Sequence, residues 1–293
     1  MKRIGNLYEK VCSIENLQLA DEKARKGKLR TYGVIEHDKK REVNLLKLRE
    51  TLLNGTFHTS KYDVFTIYEP KEREIYRLPY FPDRILHHAI MNALEPIWVS
   101  TFTADTYSCI KNRGIHAAAK KVKQALREDP EGTTFCLKLD IRKFYPSINH
   151  DVLKSILRRK LKDKRLLRLL DEIIDSADGV PIGNYLSQYF ANLYLTYFDH
   201  WIKEQKRVKH YFRYADDIVI LASDKSYLHS LMGEIRAYLG DLKLEVKGNW
   251  QVFPVAARGI DFVGYVFFHT HTRMRKGIKK TFCRRLAKLN KRK

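Results

Sequence analysis

Three aspartates carry the first chemistry this sequence suggests. Asp216 and Asp217 sit side by side in YFRYADDIVIL (211–221), an otherwise apolar stretch, and Asp140 ends TTFCLKLD (133–140). A buried, unpaired carboxylate is costly, so these groups either occupy a solvated turn or meet a cation. Asp is a turn former, and a DD pair at a turn is ordinarily solvated. Asp140 alone reads equally as a cap on the segment after it. If the two strand units are neighbours, however, three carboxylates converge, and like charges so close raise one another's pKa until a cation neutralises them. Hard oxygen ligands suit Mg2+, which keeps waters and takes further ligands from substrate phosphates. Two such ions about 3.5–4 Å apart clamp an in-line phosphoryl displacement.

The rest of the chain points to a phosphate-bearing partner. Lys and Arg number 56 against 34 Asp and Glu, a formal net charge of +22 in 293 residues. Self-repulsion on that scale costs stability, and a polyanion offsets it, nucleic acid first among candidates. The charge is spread from KARKGKLR (23–30) to RMRKGIKKTFCRRLAKLNKRK (273–293), which suits a surface that tracks a backbone. Apolar residues make up 44% and charged residues 31%, the balance of a soluble globular protein. No stretch approaches the roughly 20 apolar residues of a membrane span. MKRIGNLYEK lacks the apolar centre of a signal peptide. Cys12, Cys109, Cys136 and Cys283 form no CxxC pair, which argues against a zinc site or disulfide framework and for a reducing cytoplasm. Adjacent His87 and His88 diverge by about 100° on a helix. Like His269 and His271 they have no cysteine nearby, so packing or surface roles are expected.

Periodicity supplies the elements that must hold the aspartates. NLYEKVCSIENLQLADEKARKG reads as one helix, with Leu7, Val11, Ile14 and Leu17 at helical spacing and Gly27 as a stop. A second helix runs from Asp38, as N-cap, to Gly55. YDVFTIYEP and EIYRLPY read as two strands across the turn PKER. PDRILHHAIMNALEPI starts a helix with proline in its first turn, and Asp83 and Arg84 brace that start. RGIHAAAKKVKQALRED is a helix with one basic face. In the strand TTFCLKLD, Thr134, Cys136, Lys138 and Asp140 share one face and Phe135, Leu137 and Leu139 the other. Helices over 149–161 and 163–176 precede the loop DGVPIGN, and one long helix runs from Tyr185 to Gln205. The aspartate hairpin follows, then the helix SYLHSLMGEIRAYLGDL, short strands near 243–247, 251–255 and 260–268, and a helical basic tail from Arg273. Gly179, Gly183, Gly259 and Gly264 serve backbone geometry. The pattern is α+β.

Several stretches together resemble the reverse transcriptases. YADD between apolar strands resembles their catalytic hairpin, and LKLDIRKFYPSI (137–148) the upstream motif with the first metal-binding aspartate. REIYRLPYFPDRILHHAIMNALEPI (73–97) resembles the fingers segment of bacterial, group II intron-related members, and GIDFVGYVF (259–267) the short motif after the palm. The resemblance implies a right-hand polymerase fold: an N-terminal helical extension over 1–40, fingers over 41–134, a palm with interleaved helices over 135–268, and the start of a basic, short or truncated thumb over 269–293. It implies RNA-directed DNA synthesis with two Mg2+ ions held by Asp140 and Asp216, assisted by Asp217 and the Ile141 carbonyl. It further implies that Lys143 and Phe144 hold phosphates through their backbone and that Tyr145 is a steric gate against ribonucleotides, with a core tyrosine as the alternative; the forks of Arg73 and Arg77 suit triphosphate oxygens, with template backbone or a solvated face as the alternatives.

The loop GVPIGNYLSQ (179–188) selects the branch. Ile182 stands where many reverse transcriptases have a glutamine, and Gly183 to Gln188 reads GxxxSQ, which resembles the reverse transcriptases of diversity-generating retroelements. NRGIHAAAK (112–120) and YFDHWIKE (197–204) look like the same branch. That resemblance implies copying of a template-repeat RNA into cDNA with errors opposite adenines. The implied partners are template RNA, the RNA/cDNA duplex, dNTPs and a basic oligomeric accessory protein, for a bacterial or phage-encoded chain in the cytoplasm, with no membrane. Ile182 becomes a fidelity residue and Gln188 a nucleotide-binding one. A group II intron-derived or antiviral-defence enzyme without mutagenesis, and a catalytically silent RNA-binding scaffold, are the competing readings.

Overall fold

Apolar residues at helical spacing dominate the first hundred positions. The computed structural model, which describes residues 3–68 and 72–290, forms helices there. α1 (Tyr8–Cys12) and α2 (Ile14–Ala24) are separated at Ser13, whose hydroxyl accepts from the Asn16 N–H. The single helix expected over 6–27 is therefore two, because the serine caps a fresh helix start. α3 (Tyr32–Asp38) and α4 (Arg41–Leu53) follow. Asp38, expected to cap the second of these, instead ends the first, where its carboxylate accepts from Arg25 at 2.8 Å. β1 (Asp63–Ile67) and β2 (Arg73–Arg77) form the expected antiparallel hairpin. The turn assigned to PKER lies partly outside the described residues. A wide turn over Tyr80–Arg84 leads into α5 (Ile85–Val99), which is buried on most sides.

The chain then builds α6 (Ile115–Glu128), β3 (Phe135–Asp140), the single turn α7 (Phe144–Ser147), α8 (His150–Lys160), α9 (Lys164–Asp175) and α10 (Tyr185–Tyr194). It continues through α11 (Thr196–His200), β4 (His210–Tyr214), β5 (Asp217–Ala222), α12 (Lys225–Asp241), β6 (Gln251–Pro254) and α13 (Val255–Arg258). It closes with β7 (Ile260–Phe262), β8 (Tyr265–Phe267), β9 (Thr272–Met274) and α14 (Lys276–Asn290). Two compact units result, each drawing on two chain segments. The first joins the described residues up to Phe102 with Tyr145–Leu195. The second joins Thr103–Phe144 with the described residues from Thr196.

In the first unit α2 lies along α5, and the Asn16 amide donates to the Val11 and Ala89 carbonyls at 3.1 and 3.0 Å. Trp98 is fully buried against Tyr189 and Phe190, with ring centroids 6.1 and 5.9 Å away. Each such side chain contributes about 1.5–3 kcal/mol by leaving water. The helix expected from Tyr185 to Gln205 breaks at Leu195. Leu186, Tyr189 and Phe190 bury in the first unit, whereas Phe198 and Ile202 bury in the second.

The second unit holds an antiparallel sheet in the order β4-β5-β3-β6 and a three-stranded sheet β7-β8-β9. Cys136, Phe212, Val219 and Leu221 form one core with Val122 and Leu126 of α6 and with Phe262 and Phe267. α6, grouped by its sequence position with 41–134, thus packs on this sheet. α12 runs along β3, β5 and β6. The strand expected near 243–247 is one bridge, Val246 to Ile141. The strand expected over 260–268 is two, because the chain reverses at Val263 and Gly264 with φ of 44° and 90°. The basic tail opens with β9 before its helix.

Candidate active site

Strand register brings the first carboxylates together. β3 pairs with β5 so that Asp140 lies opposite Asp217, and directly opposed residues share a face. β4 pairs with β5 so that Tyr214 meets Asp217, leaving Ala215 and Asp216 as the turn. Ala215 takes a φ of 55°, a left-handed conformation that costs a residue with a Cβ roughly 1–2 kcal/mol. Arg213 holds it: Nη1 donates to the Ala215 carbonyl at 3.1 Å, and Nε donates to Asp199 Oδ1 at 2.7 Å. The hydroxyls of Tyr211 and Thr106 donate to the same carboxylate at 2.6 and 2.9 Å. Both side chains of the Arg213–Asp199 pair are 0% exposed. Burial pulls the Arg213 guanidinium down, but Asp199 more than offsets it and holds the pKa above the usual value.

Electrostatics divides the three aspartates. Burial, and then the charge of Asp140, raises the pKa of Asp216 above the usual carboxylate value. Asp140 Oδ1 accepts from Lys247 Nζ at 2.6 Å. Asp217 accepts from Lys138, whose ammonium also lies 5.1 Å from the centre of the Phe262 ring. Burial pulls Lys138 down to about 8, which leaves it protonated at neutral pH and paired with Asp217. Like charges directly opposed destabilise a sheet, and one lysine on each carboxylate offsets that. Register sets Asp140 opposite Asp217, and Asp216 interacts with Asp140. Among the described residues no three His, Cys, Asp or Glu side chains gather as a metal cluster. Asp140 and Asp216 interact, while Asp217 is held by Lys138, its diagonal neighbour on the same face.

The Asp140–Asp216 pair nevertheless fits a hard divalent cation. It offers oxygen donors only, and its mutual repulsion is the kind a bound cation relieves. The Ile141 N–H donates to the Asp216 carbonyl at 3.3 Å, which keeps that backbone beside the pair. Lys143 follows with a φ of 43°, and the Phe144 side chain is buried. Sequence reasoning missed Lys138, Lys247, Arg213 and Asp199 as parts of this site. Strand alternation already put Lys138 on the face of Asp140; nothing local marks Asp199.

The other candidates lie in the first unit. The Tyr145 carbonyl accepts from the Val180 N–H at 2.9 Å. Ile182 is half-buried, and its carbonyl accepts from the Tyr76 N–H at 2.8 Å. Gly183 has a φ of 124°, and a Cβ there would stand 2.6 Å from the Tyr76 carbonyl oxygen. The 179–188 loop is thereby laid on β2, the strand that carries exposed Arg73 and Arg77. Arg77 pairs with Asp63 across the hairpin and covers the Phe65 ring at 5.6 Å. Gln188 is exposed on α10, beside buried Ser187. Asp83 is buried and accepts from the Ser60 N–H at 3.0 Å, and Arg84 donates to the Ala24 carbonyl at 3.3 Å, so both brace their helix start. His87 is buried within α5, and His88 stacks on Tyr185 at 4.4 Å.

This geometry has known counterparts. A model of the family "Reverse transcriptase (RNA-dependent DNA polymerase)" matches residues 69–267. Protein YkfC of Escherichia coli K12 is 26% identical over 279 residues, which cover 79% of this chain and 73% of that protein. The group II intron-encoded protein LtrA of Lactococcus lactis is 23% identical over 191 residues, 60% of this chain and 31% of LtrA. Apo telomerase from Candida tropicalis superposes with a TM-score of 0.54 at 12% identity, covering 74% of this chain and 49% of that one, a likeness of fold alone. The chain therefore spans most of one relative's length, under a third of LtrA and about half of the telomerase. No helix among the described residues is long and apolar enough to cross a membrane. With its paired aspartates at the sheet end and its right-hand polymerase fold, this chain belongs to the reverse transcriptase family.

Proposed function

We propose that this chain is the RNA-directed DNA polymerase of a diversity-generating retroelement, copying a template-repeat RNA into cDNA with errors concentrated opposite adenines. The loop at Ile182 carries this reading. An apolar side chain stands there on a backbone pinned to β2, beside the GxxxSQ stretch from Gly183 to Gln188. It offers an incoming nucleotide shape and contact but no hydrogen bond. A missing polar check on a buried substrate lowers discrimination by about 1–3 kcal/mol.

Asp140 and Asp216 hold Mg2+, with the Ile141 carbonyl alongside. Bound there, two such ions would acidify the primer hydroxyl and stabilise the leaving pyrophosphate. Lys247 pairs with Asp140, and Lys138 keeps Asp217 in a supporting position. Arg73, Arg77 and the Lys143–Phe144 backbone take the triphosphate, Tyr145 screens the sugar, and Gln188 supports the nucleotide loop. Template RNA, the RNA/cDNA duplex, dNTPs and a basic oligomeric accessory protein complete the assembly. Likeness to LtrA favours a second reading, a group II intron-type enzyme that copies accurately.

The test supplies the chain with RNA template, primer, Mg2+ and dNTPs, adds a cognate accessory protein in a second arm, and sequences the cDNA. Misincorporation concentrated at template adenines, lost with Asp216→Asn and reduced by Ile182→Gln, is expected. Uniformly accurate cDNA in both arms would replace this reading with the second one.

A further inference from the structure

One face of α6 has no part in the site above. His116, Lys120, Lys123 and Arg127 recur at intervals of four, three and four residues, which puts all four on one helical stripe. At about 1.5 Å per residue the stripe is about 16 Å long. It forms one wall of a groove of about 940 Å³ whose other wall is β8 and the turn into β9. Among the described residues no Asp or Glu lines the groove. Arg127 shares its charge with Glu128 at 3.3 Å, while Lys120 and Lys123 form no ion pair among the described residues.

The opposite wall is aromatic. Phe268 and His271 stack at 4.6 Å with 11° between their planes, and His271 is the exposed member of the pair. Arg273 covers Phe268 at 5.2 Å. His269 bonds Thr133 at 3.0 Å, which anchors this wall just before the start of β3. Asp140 ends the same strand, so the length of β3, about 16 Å, separates the groove from the carboxylates.

We infer that this groove is a second nucleic-acid seat, which takes the phosphate backbone of an unpaired RNA strand along α6 and one base against the outer face of His271. A cationic track beside a stacking ring is the chemistry that binds single strands without reading their sequence. Its length meets a few successive phosphates of one strand. A net charge of +22 favours a polyanion, and the exposed stacking ring of His271 favours a nucleic acid over an acidic protein segment. The choice of RNA rests on the polymerase reading, since RNA is the template strand of that reaction; the groove itself lies apart from Asp140 and Asp216.

The test measures binding of a labelled unpaired 12-nucleotide RNA by the full chain, without metal or dNTPs, as a function of salt. The triple variant Lys120→Gln, Lys123→Gln, Arg127→Gln is compared with the wild type, and His271→Ala tests the stacking wall. All four positions are exposed, and an unchanged melting temperature checks folding. The triple variant is expected to bind at least tenfold more weakly, with its log–log salt slope reduced by about 2. Primer extension on a blunt-flanked template is measured in parallel. Wild-type affinity and slope in the triple variant would overturn the inference while extension left the polymerase reading intact. Lost RNA binding in a chain whose wild type extends no primer would support the groove and count against that reading. Tighter binding of the matched DNA, or displacement of RNA by polyglutamate at equal charge, would each overturn the assignment to RNA.

Discussion

Asp199 decides whether Ala215 can keep its left-handed turn. The carboxylate is the counter-charge of a fully buried guanidinium, and that guanidinium holds the Ala215 carbonyl. Removing one partner of a buried pair leaves the other charge uncompensated, at a cost of about 3–5 kcal/mol. Asp199→Ala is therefore expected to lower unfolding stability in urea by that amount, with primer extension lost along with the turn. Wild-type stability in this variant would show that water already serves Arg213. Asp140 and Asp216 could be read from the chain because each sits in a local pattern, a strand end or a two-residue turn. Lys138 was equally readable, two positions before Asp140 on one face. Asp199 was not, because its hydrogen-bond partners come from β4 and the 103–106 loop, and separation in sequence says nothing of that approach.

At the level of elements, the loop after α9 depends on one glycine. Gly183 brings its backbone so near Tyr76 that any side chain would strike the strand, in a φ region that L-residues rarely adopt. Gly183→Ala is expected to lose about 1–3 kcal/mol and to expose the Tyr76 N–H, whose acceptor is the Ile182 carbonyl. Hydrogen exchange at Tyr76 checks this; unchanged protection would mean the loop holds β2 by other contacts. Periodicity found α8, α9 and α12 because their apolar residues recur at helical spacing, and turn residues between short apolar runs found the β1–β2 and β4–β5 hairpins. It missed the break at Ser13, where a cap competes with a continuing helix, and the break at Leu195, where two cores divide a single apolar run. Short strands such as β7 and β8 merged into one expected strand because a reversal at Val263 and Gly264 leaves the alternation almost undisturbed.

On the scale of the whole molecule, acid stability follows from α5. Burial holds His87 down at about 3 and His88 at about 4, and neither Nε2 has a hydrogen-bond partner among the described residues. An unfolded histidine titrates near about 6.5, so the unfolded chain takes up these protons first. Stability is thus present above about pH 6.5 and is lost as pH falls toward the folded values, by ~1.4 kcal/mol per pH unit for His87. Denaturant midpoints at pH 7 and pH 5 should differ in the wild type and differ less in His87→Leu. Equal midpoints in the wild type would contradict the burial of a neutral imidazole. The division into two units, each made of two chain segments, also bears on synthesis. On the ribosome the first unit stays open until Leu195 has emerged, and β3 waits through all of that span for β5 and β6. The nascent chain therefore carries FCLKLD as an unpaired apolar edge for a long interval. Slow translation or chaperone shielding across residues 135–222 would then govern how much of the protein reaches its native state.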